Sequence, residues 1–246
     1  MTDADFAQLR RLFEVMARLR APGGCPWDMA QTHRTLAPFL LEETYEAIQA
    51  AEEGNPVELA EELGDLLVEV AMQVAIGAEA GEFDVGTVAE AATEKMVGRH
   101  PHVFGDVELD GVDQVLGNWE ELKRREKPHR QSALDGIPRA LPALALAAAI
   151  QRRQDRDHPR GEAPDALAAA ALSRLADPGV AGEAAEALVG ELLYSLVAVA
   201  RARGVDAEAA LRRHAAGQRQ SLRQAEVARR LGAVPASPAD SAEASN

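Results

Sequence analysis

Cysteine, positive charge and long apolar runs are all scarce in this chain of 246 residues. The single cysteine, Cys25, excludes an internal disulfide and a thiolate metal cage. No apolar run approaches the roughly 18 residues of a membrane span, and the N-terminus lacks a charged-then-apolar leader. The expectation is a cytoplasmic protein without membrane association. Only 26 Lys and Arg stand against 40 Asp and Glu, a net charge of −14 that argues against nucleic acid as a partner. What remains is 47% hydrophobic and 27% charged, ordinary for a soluble globular chain and enough for one large domain or two small ones.

The charge is unevenly placed. Residues 1–130 hold 26 acids and 12 bases, whereas residues 131–246 hold 14 of each. Between Thr35 and Glu94 there are 15 Asp or Glu and no Lys or Arg. Helical surfaces ordinarily mix signs, because like charges at i,i+4 are unfavourable by a few tenths of a kcal/mol. An acidic solvated face is the plain explanation, so spacing must decide.

The pattern is helical throughout, with no strand alternation, which gives an all-α fold. Thr2 and Asp5 form a capping box ahead of an apolar face at Phe6, Leu9, Leu12, Phe13, Met16 and Leu19. That helix stops at Ala21-Pro22-Gly23-Gly24, and residues 25–34 read as a loop. A second helix covers about 36–53, with Pro38 tolerable in its first turn. Gly54 reads as its C′ residue, with Asn55, Pro56 and Glu58 as N-cap, N1 and capping partner of a third helix running to about 80. Further helices are expected at 84–98 and 110–127, with a loop at Pro101 between them. Pro128 to Pro138 reads as a linker. Beyond it 33 of 116 residues are Ala, Tyr194 is the only aromatic, and helices are expected at 140–153, 164–175, 178–203 and 206–231. The expected organisation is residues 1–130, residues 131–234 and a disordered tail at 235–246.

Glu43 and Glu46 share a face of the second helix, and Glu62 and Asp65 share a face of the third. The turn between is too short for anything but a helix hairpin. Glu43 and Asp65 lie 11 residues either side of Gly54, and Glu46 and Glu62 lie 8 either side. At ~1.5 Å per residue both pairs reach the same height, about 12–16 Å from the turn. Glu42 sits beside them. Leu41, Tyr45, Ile48, Leu59, Leu63, Leu66 and Leu67 place this group at the edge of a core. Like charges so close oppose folding unless compensated. Oxygen donors without His or Cys suit Mg²⁺, with Mn²⁺ as a substitute. A di-iron bundle would need a Glu-x-x-His on each partner helix, and neither has one. Mg²⁺ so held usually leaves positions for substrate phosphates. The missing cations come later: Lys95 and Arg99 at i,i+4, and Lys123 four residues after Trp119, a plausible phosphate clamp.

Leu41-Glu42-Glu43-Thr44-Tyr45-Glu46 and Glu61-Glu62-Leu63-Gly64-Asp65-Leu66-Leu67 resemble the Glu-Glu-x-x-Glu and Glu-x-x-Asp signature of the all-α nucleoside triphosphate pyrophosphohydrolases. The flanks extend the likeness to the two-repeat, MazG-like branch: Gly24-Cys25-Pro26-Trp27-Asp28, Gln31-Thr32, Arg99-His100-Pro101-His102-Val103-Phe104 and Ser132 to Pro138. The resemblance is strong over residues 6–145 and traceable to about 230. It implies Mg²⁺-dependent hydrolysis of nucleoside triphosphates to monophosphate and pyrophosphate. By motif position, Glu43, Glu46, Glu62 and Asp65 would be metal ligands, with Glu42 near the attacking water. Lys95, Arg99, Trp119 and Lys123 would contact the triphosphate, and Trp27 the base or ribose. It further implies a homodimer whose chains complete each other's pocket. Gly98 stands where another Arg is expected. The charges fit: five carboxylates and a triphosphate carry roughly −9, and two or three Mg²⁺ with Lys95, Arg99 and Lys123 return about +7 to +9.

The second half resembles a degenerate copy, making the chain a tandem repeat of helical bundles. Ala187 to Leu193 aligns with Glu61 to Leu67, so that Leu188 replaces Glu62 and Glu191 replaces Asp65. Ala168 to Leu175 offers no carboxylate, and Gly217 and Ser221 take the places of Lys95 and Arg99. A packing role is expected for this half, with His158 and His214 unassigned. Alternative readings are a related dUTPase or phosphoribosyl-ATP pyrophosphatase, a non-catalytic nucleotide sensor or scaffold, or an acidic bundle without a ligand.

Overall fold

A computed structural model describes residues 2–126, 132–157 and 163–230. Every regular element among them is helical. No helix among them is long and apolar enough to cross a membrane. The chain divides into two compact units, Met1–Pro128 and His129–Asn246.

The first unit holds α1 (Asp3–Arg20), α2 (Pro26–Met29), α3 (Ala37–Glu53), α4 (Pro56–Ala80), α5 (Val85–Arg99), α6 (Pro101–Phe104) and α7 (Val112–Arg125). Three of the expected caps are present. Thr2 and Asp5 exchange both bonds of a capping box, and the Asp84 carboxylate accepts the Thr87 N–H at 2.8 Å. Asn55 Oδ1 accepts from the N–H groups of Val57 and Glu58, and Glu58 takes the Asn55 side-chain amide at 2.8 Å, not its backbone. The segments expected as loops contain α2 and α6. Each is one turn long and begins with a proline at its first position, where a missing N–H costs nothing.

The core of this unit gathers Met16 of α1, Leu36 and the α4 residues Ala71 and Met72, with Leu12, Phe13, Leu19, Val68 and Ile76 against them. Phe6 and Leu9, expected on the core face of α1, are exposed; of the larger elements only α4 packs on α1, and the buried contact centres on Met16. Small residues let α3 and α4 approach closely, with Ala47 and Ala50 buried on one and Ala71 on the other. Helices α5, α6 and α7 pack on one another and share no extended interface with α3.

The second unit holds α8 (Ala143–Asp157), α9 (Pro164–Leu175), α10 (Gly182–Ala202) and α11 (Ala207–Arg230), with α9 and α10 in the most extensive contact. Buried Ala168 and Ala171 face a core with Leu188, Val197 and Ala198. Helix α10 begins four residues later than expected, because Asp177 accepts the Gly179 N–H and fixes a turn. Part of the expected linker is folded: Ser132 and Asp135 close a turn whose carbonyls at Ala133 and Asp135 accept from Arg153 of α8. The rest of that linker at 128–131, Lys127 at the expected end of the preceding helix, His158 and the expected tail at 235–246 lie outside the described residues.

Candidate functional site

The hairpin between α3 and α4 rests on two residues. Gly54 takes a left-handed φ of 68°, a region that costs a side chain but not glycine, and its N–H closes α3. Asn55 then opens α4. The hairpin brings carboxylate oxygens of Glu43, Glu62 and Asp65 within 4.8 Å of one another. Among the described residues no Lys or Arg forms an ion pair with any of the three.

The local field is correspondingly negative. Burial, then the charges of Asp65, Glu46, Glu42 and Glu69, push the Glu43 carboxyl above its ordinary range. Burial, then Glu46, Glu43, Asp65 and Glu61, do the same to Glu62. Glu46 therefore belongs to the field but stands outside the group of three, exposed on α3. The expected four-way meeting is thus a three-way one with Glu46 and Glu42 beside it. Three oxygen donors at this separation, two half-buried and that of Asp65 exposed, suit a hard divalent cation, which would relieve their repulsion.

Glu69 was missed from the sequence. It follows Asp65 by one turn on α4, its Oε2 is buried without a hydrogen-bond partner, and burial raises its pKa. The i, i+3, i+7 spacing of Glu62, Asp65 and Glu69 was the available signal. The apolar collar is also more open than expected. Tyr45, Ile48, Leu59 and Leu66 are half-buried, whereas Leu41, Leu63 and Leu67 are exposed.

The cations stand on the other helices. Arg99, at the end of α5, is buried and donates Nε and NH2 to the two oxygens of Glu126 at 2.9 and 2.6 Å. Its guanidinium carbon lies 5.1 Å from the Trp119 ring centroid, and His100 meets the same indole edge-on at 5.0 Å. Arg99 and Trp119 are therefore brought together. Lys95 is exposed on α5, and Lys123 is half-buried on α7. Trp27, on α2, is 56% exposed and meets Phe39 edge-on at 6.0 Å. Phe39 lies one turn before Glu43 on α3.

In the second unit Leu188, expected in the place of Glu62, is buried and lines a pocket between α9 and α10. Glu191, the remaining acid, is paired with Arg174 at 3.1 Å, so a guanidinium already neutralises it. His214 is exposed.

Fold and site together define the class: an all-α protein with a carboxylate-only centre on a helix hairpin. Within that class the chain belongs to the MazG family, residues 31–104 matching the MazG nucleotide pyrophosphohydrolase domain. It is 37% identical over 205 residues to the nucleoside triphosphate pyrophosphohydrolase/pyrophosphatase MazG of Thermotoga maritima, a match covering 82% of this chain and 79% of that protein. It is 45% identical over 149 residues to the nucleoside triphosphate pyrophosphohydrolase of Escherichia coli K12, covering 59% of this chain and 57% of the relative. A 44% match over 139 residues to the uncharacterized protein YabN of Bacillus subtilis covers 56% of this chain and 28% of that one. The chain thus spans somewhat over half of the Escherichia coli relative and about a quarter of YabN. The matched domain includes all five signature acids, Lys95 and Arg99, and leaves Trp27, Trp119 and Lys123 outside it.

Proposed function

We propose that this chain hydrolyses nucleoside triphosphates to monophosphate and pyrophosphate with Mg²⁺, or Mn²⁺ in its place, at a site confined to residues 1–130. The observation that carries the reading is the meeting of Glu43, Glu62 and Asp65 with no Lys or Arg paired to them among the described residues. Relatives bearing the name nucleoside triphosphate pyrophosphohydrolase share this region. Glu43, Glu62 and Asp65 hold the cation, with Glu46 as a further ligand from the neighbouring turn. A cation held by these residues would supply Lewis acidity to activate a water and positive charge to balance the phosphates. Glu42, exposed beside the cluster, takes the water's proton as general base.

Lys95, Arg99 and Lys123 receive the triphosphate, and Trp119 backs Arg99. Glu126 accepts from Nε and NH2 along one edge of the Arg99 guanidinium, so the triphosphate competes with that carboxylate for these donors. Helices α5 and α7 do not pack extensively on α3, and Leu63, Leu67 and Val70 leave an exposed apolar stripe along α4. Both features favour a homodimer in which the hairpin of one chain is completed by the other. The second unit is a degenerate repeat kept for packing, its carboxylate pair replaced by Leu188 and an Arg174–Glu191 ion pair.

The test is pyrophosphate release across a panel of ribo- and deoxynucleoside triphosphates with and without Mg²⁺. Asp65→Ala and Glu46→Ala are expected to abolish release while the far-UV helical spectrum stays intact. Retained turnover in Asp65→Ala refutes the site. Sedimentation mass decides the dimer.

A further inference from the structure

Arg20 is an anomaly of placement. A cation in the last turn of a helix ordinarily reaches into solvent, where it complements the helix dipole. Arg20 is instead 8% exposed, and four donor bonds fix its guanidinium. Nε and NH2 grip the two oxygens of Glu79, near the end of α4, each at 2.8 Å. NH1 donates to the carbonyls of Asp28 and Gln31, the latter at 3.1 Å. The Asp28 carbonyl belongs to the one-turn helix α2 and also accepts the Gln31 N–H at 3.2 Å, so the guanidinium adds a second donor to it.

The bonds continue outward. Gln31 donates Nε2 to the Trp27 carbonyl at 3.0 Å and accepts the Thr35 hydroxyl at 2.7 Å. One guanidinium therefore joins the ends of α1 and α4 to the segment that carries Trp27. The turn entering that segment is equally constrained, since a Cβ on Gly24 would lie 2.1 Å from the Leu19 carbonyl oxygen.

That segment presents an exposed aromatic pair, its rings set edge to face. Trp27 and Phe39 are two of only nine aromatic residues in the chain, both are exposed, and they meet one turn from Glu43. An exposed indole beside an anionic centre suits a heteroaromatic ring whose polar tail runs toward that centre. A buried charge is a costly way to fill a core, and an apolar side chain would serve packing as well. The bidentate, planar fork supplies direction, which neither an apolar group nor a lysine can.

We propose that Arg20, with Glu79, is a positioning residue that holds the Trp27 segment so that Trp27 and Phe39 form a platform for the nucleobase. This rests on the enzymatic reading above and adds to it the device that orients the base. Arg20 touches neither metal nor phosphate; it acts through Trp27.

The experiment compares Arg20→Lys and Glu79→Gln with the wild-type chain, each alone and in a Trp27→Ala background, with melting curves recorded for all. Both single variants are expected to raise KM for the nucleoside triphosphate by about tenfold, the order of one lost base–aromatic stack, with kcat nearly unchanged. Competitive inhibition by inorganic triphosphate, which has the phosphates and no base, stays at the wild-type level. In the Trp27→Ala background neither variant raises KM further. If Arg20→Lys fails to fold, Glu79→Gln, altered at a half-exposed side chain, reads the same quantities. Weakened inhibition by inorganic triphosphate, an equal rise in KM without Trp27, or an unmoved KM in an active enzyme overturns the role of Arg20. A wild-type chain that releases no pyrophosphate sinks the enzymatic reading instead.

Discussion

Glu43→Gln changes the stability of the metal-free and metal-bound protein in opposite directions. Glu43 lies within 4.8 Å of two carboxylates and draws no cation among the described residues. At that separation and a water-like dielectric one such repulsion amounts to about 1 kcal/mol, and salt and solvent reduce it further at this half-exposed position. The amide keeps the shape and removes the charge, so the metal-free variant is expected to gain up to about 1 kcal/mol. On the proposed site, Mg²⁺ at about 100 times its dissociation constant is expected to stabilise the wild type by roughly 2.7 kcal/mol. In a unit of this size that raises Tm by roughly 10 °C. The variant should lose most of this rise. Calorimetric melting at low salt, with chelator and with Mg²⁺, reads both effects. A lower metal-free Tm in Glu43→Gln, or an undiminished Mg²⁺ response, refutes the reasoning.

Acidity offers an independent check. Glu43 and Glu62 are held above their ordinary value of 4.5, so in that window the folded chain binds protons more readily than the unfolded one. Metal-free stability is therefore expected to rise as pH falls from neutral toward about 5, and the Mg²⁺ response to shrink. Asp84 has the opposite sign. Its bonds to Thr87 hold it below 3.8, so its contribution is present above that value and lost as pH falls further. A stability maximum at mildly acidic pH follows, measurable by chemical denaturation across pH. Leu36→Ala, at a residue 1% exposed, should cost about 2–5 kcal/mol by denaturant titration. Glu126→Gln, which replaces the charged bidentate grip on Arg99 by a neutral one, should lower KM several-fold with kcat unchanged in steady-state kinetics.

Local rules carried most of the fold. Thr2, Asn55 and Asp84 mark helix starts because a side-chain oxygen there satisfies N–H groups that the helix leaves free. Helices α2 and α6 escaped detection because one turn is shorter than the period that reveals a helix. At the site, the meeting of Glu43 with Glu62 and Asp65 followed from spacing about Gly54, whereas the exclusion of Glu46 depends on how α3 and α4 roll against each other. The pairing of Arg99 with Glu126 joins residues 27 apart across a bend, and that of Arg20 with Glu79 joins residues 59 apart. No periodicity links such positions, and a terminal arginine reads from sequence as a solvated charge. Phe6 and Leu9 read as a core face, and Leu41, Leu63 and Leu67 as the edge of a core, yet all are exposed, because pattern records apolarity and not what covers it.

The Gly54–Asn55 turn also sets a phase. One residue inserted between Pro56 and Glu62 would advance every acid beyond it by about 100° and ~1.5 Å along α4. Glu62, Asp65 and Glu69 would then swing away from Glu43 together, although no carboxylate had been removed. Length changes between Gly105 and Gly111, which join α6 to α7, leave the α3–α4 register untouched. Evolution of this chain is therefore free to vary that connection while the span from Glu43 to Asp65 must keep its count, and an otherwise intact set of acids with one residue gained there would describe an inert protein.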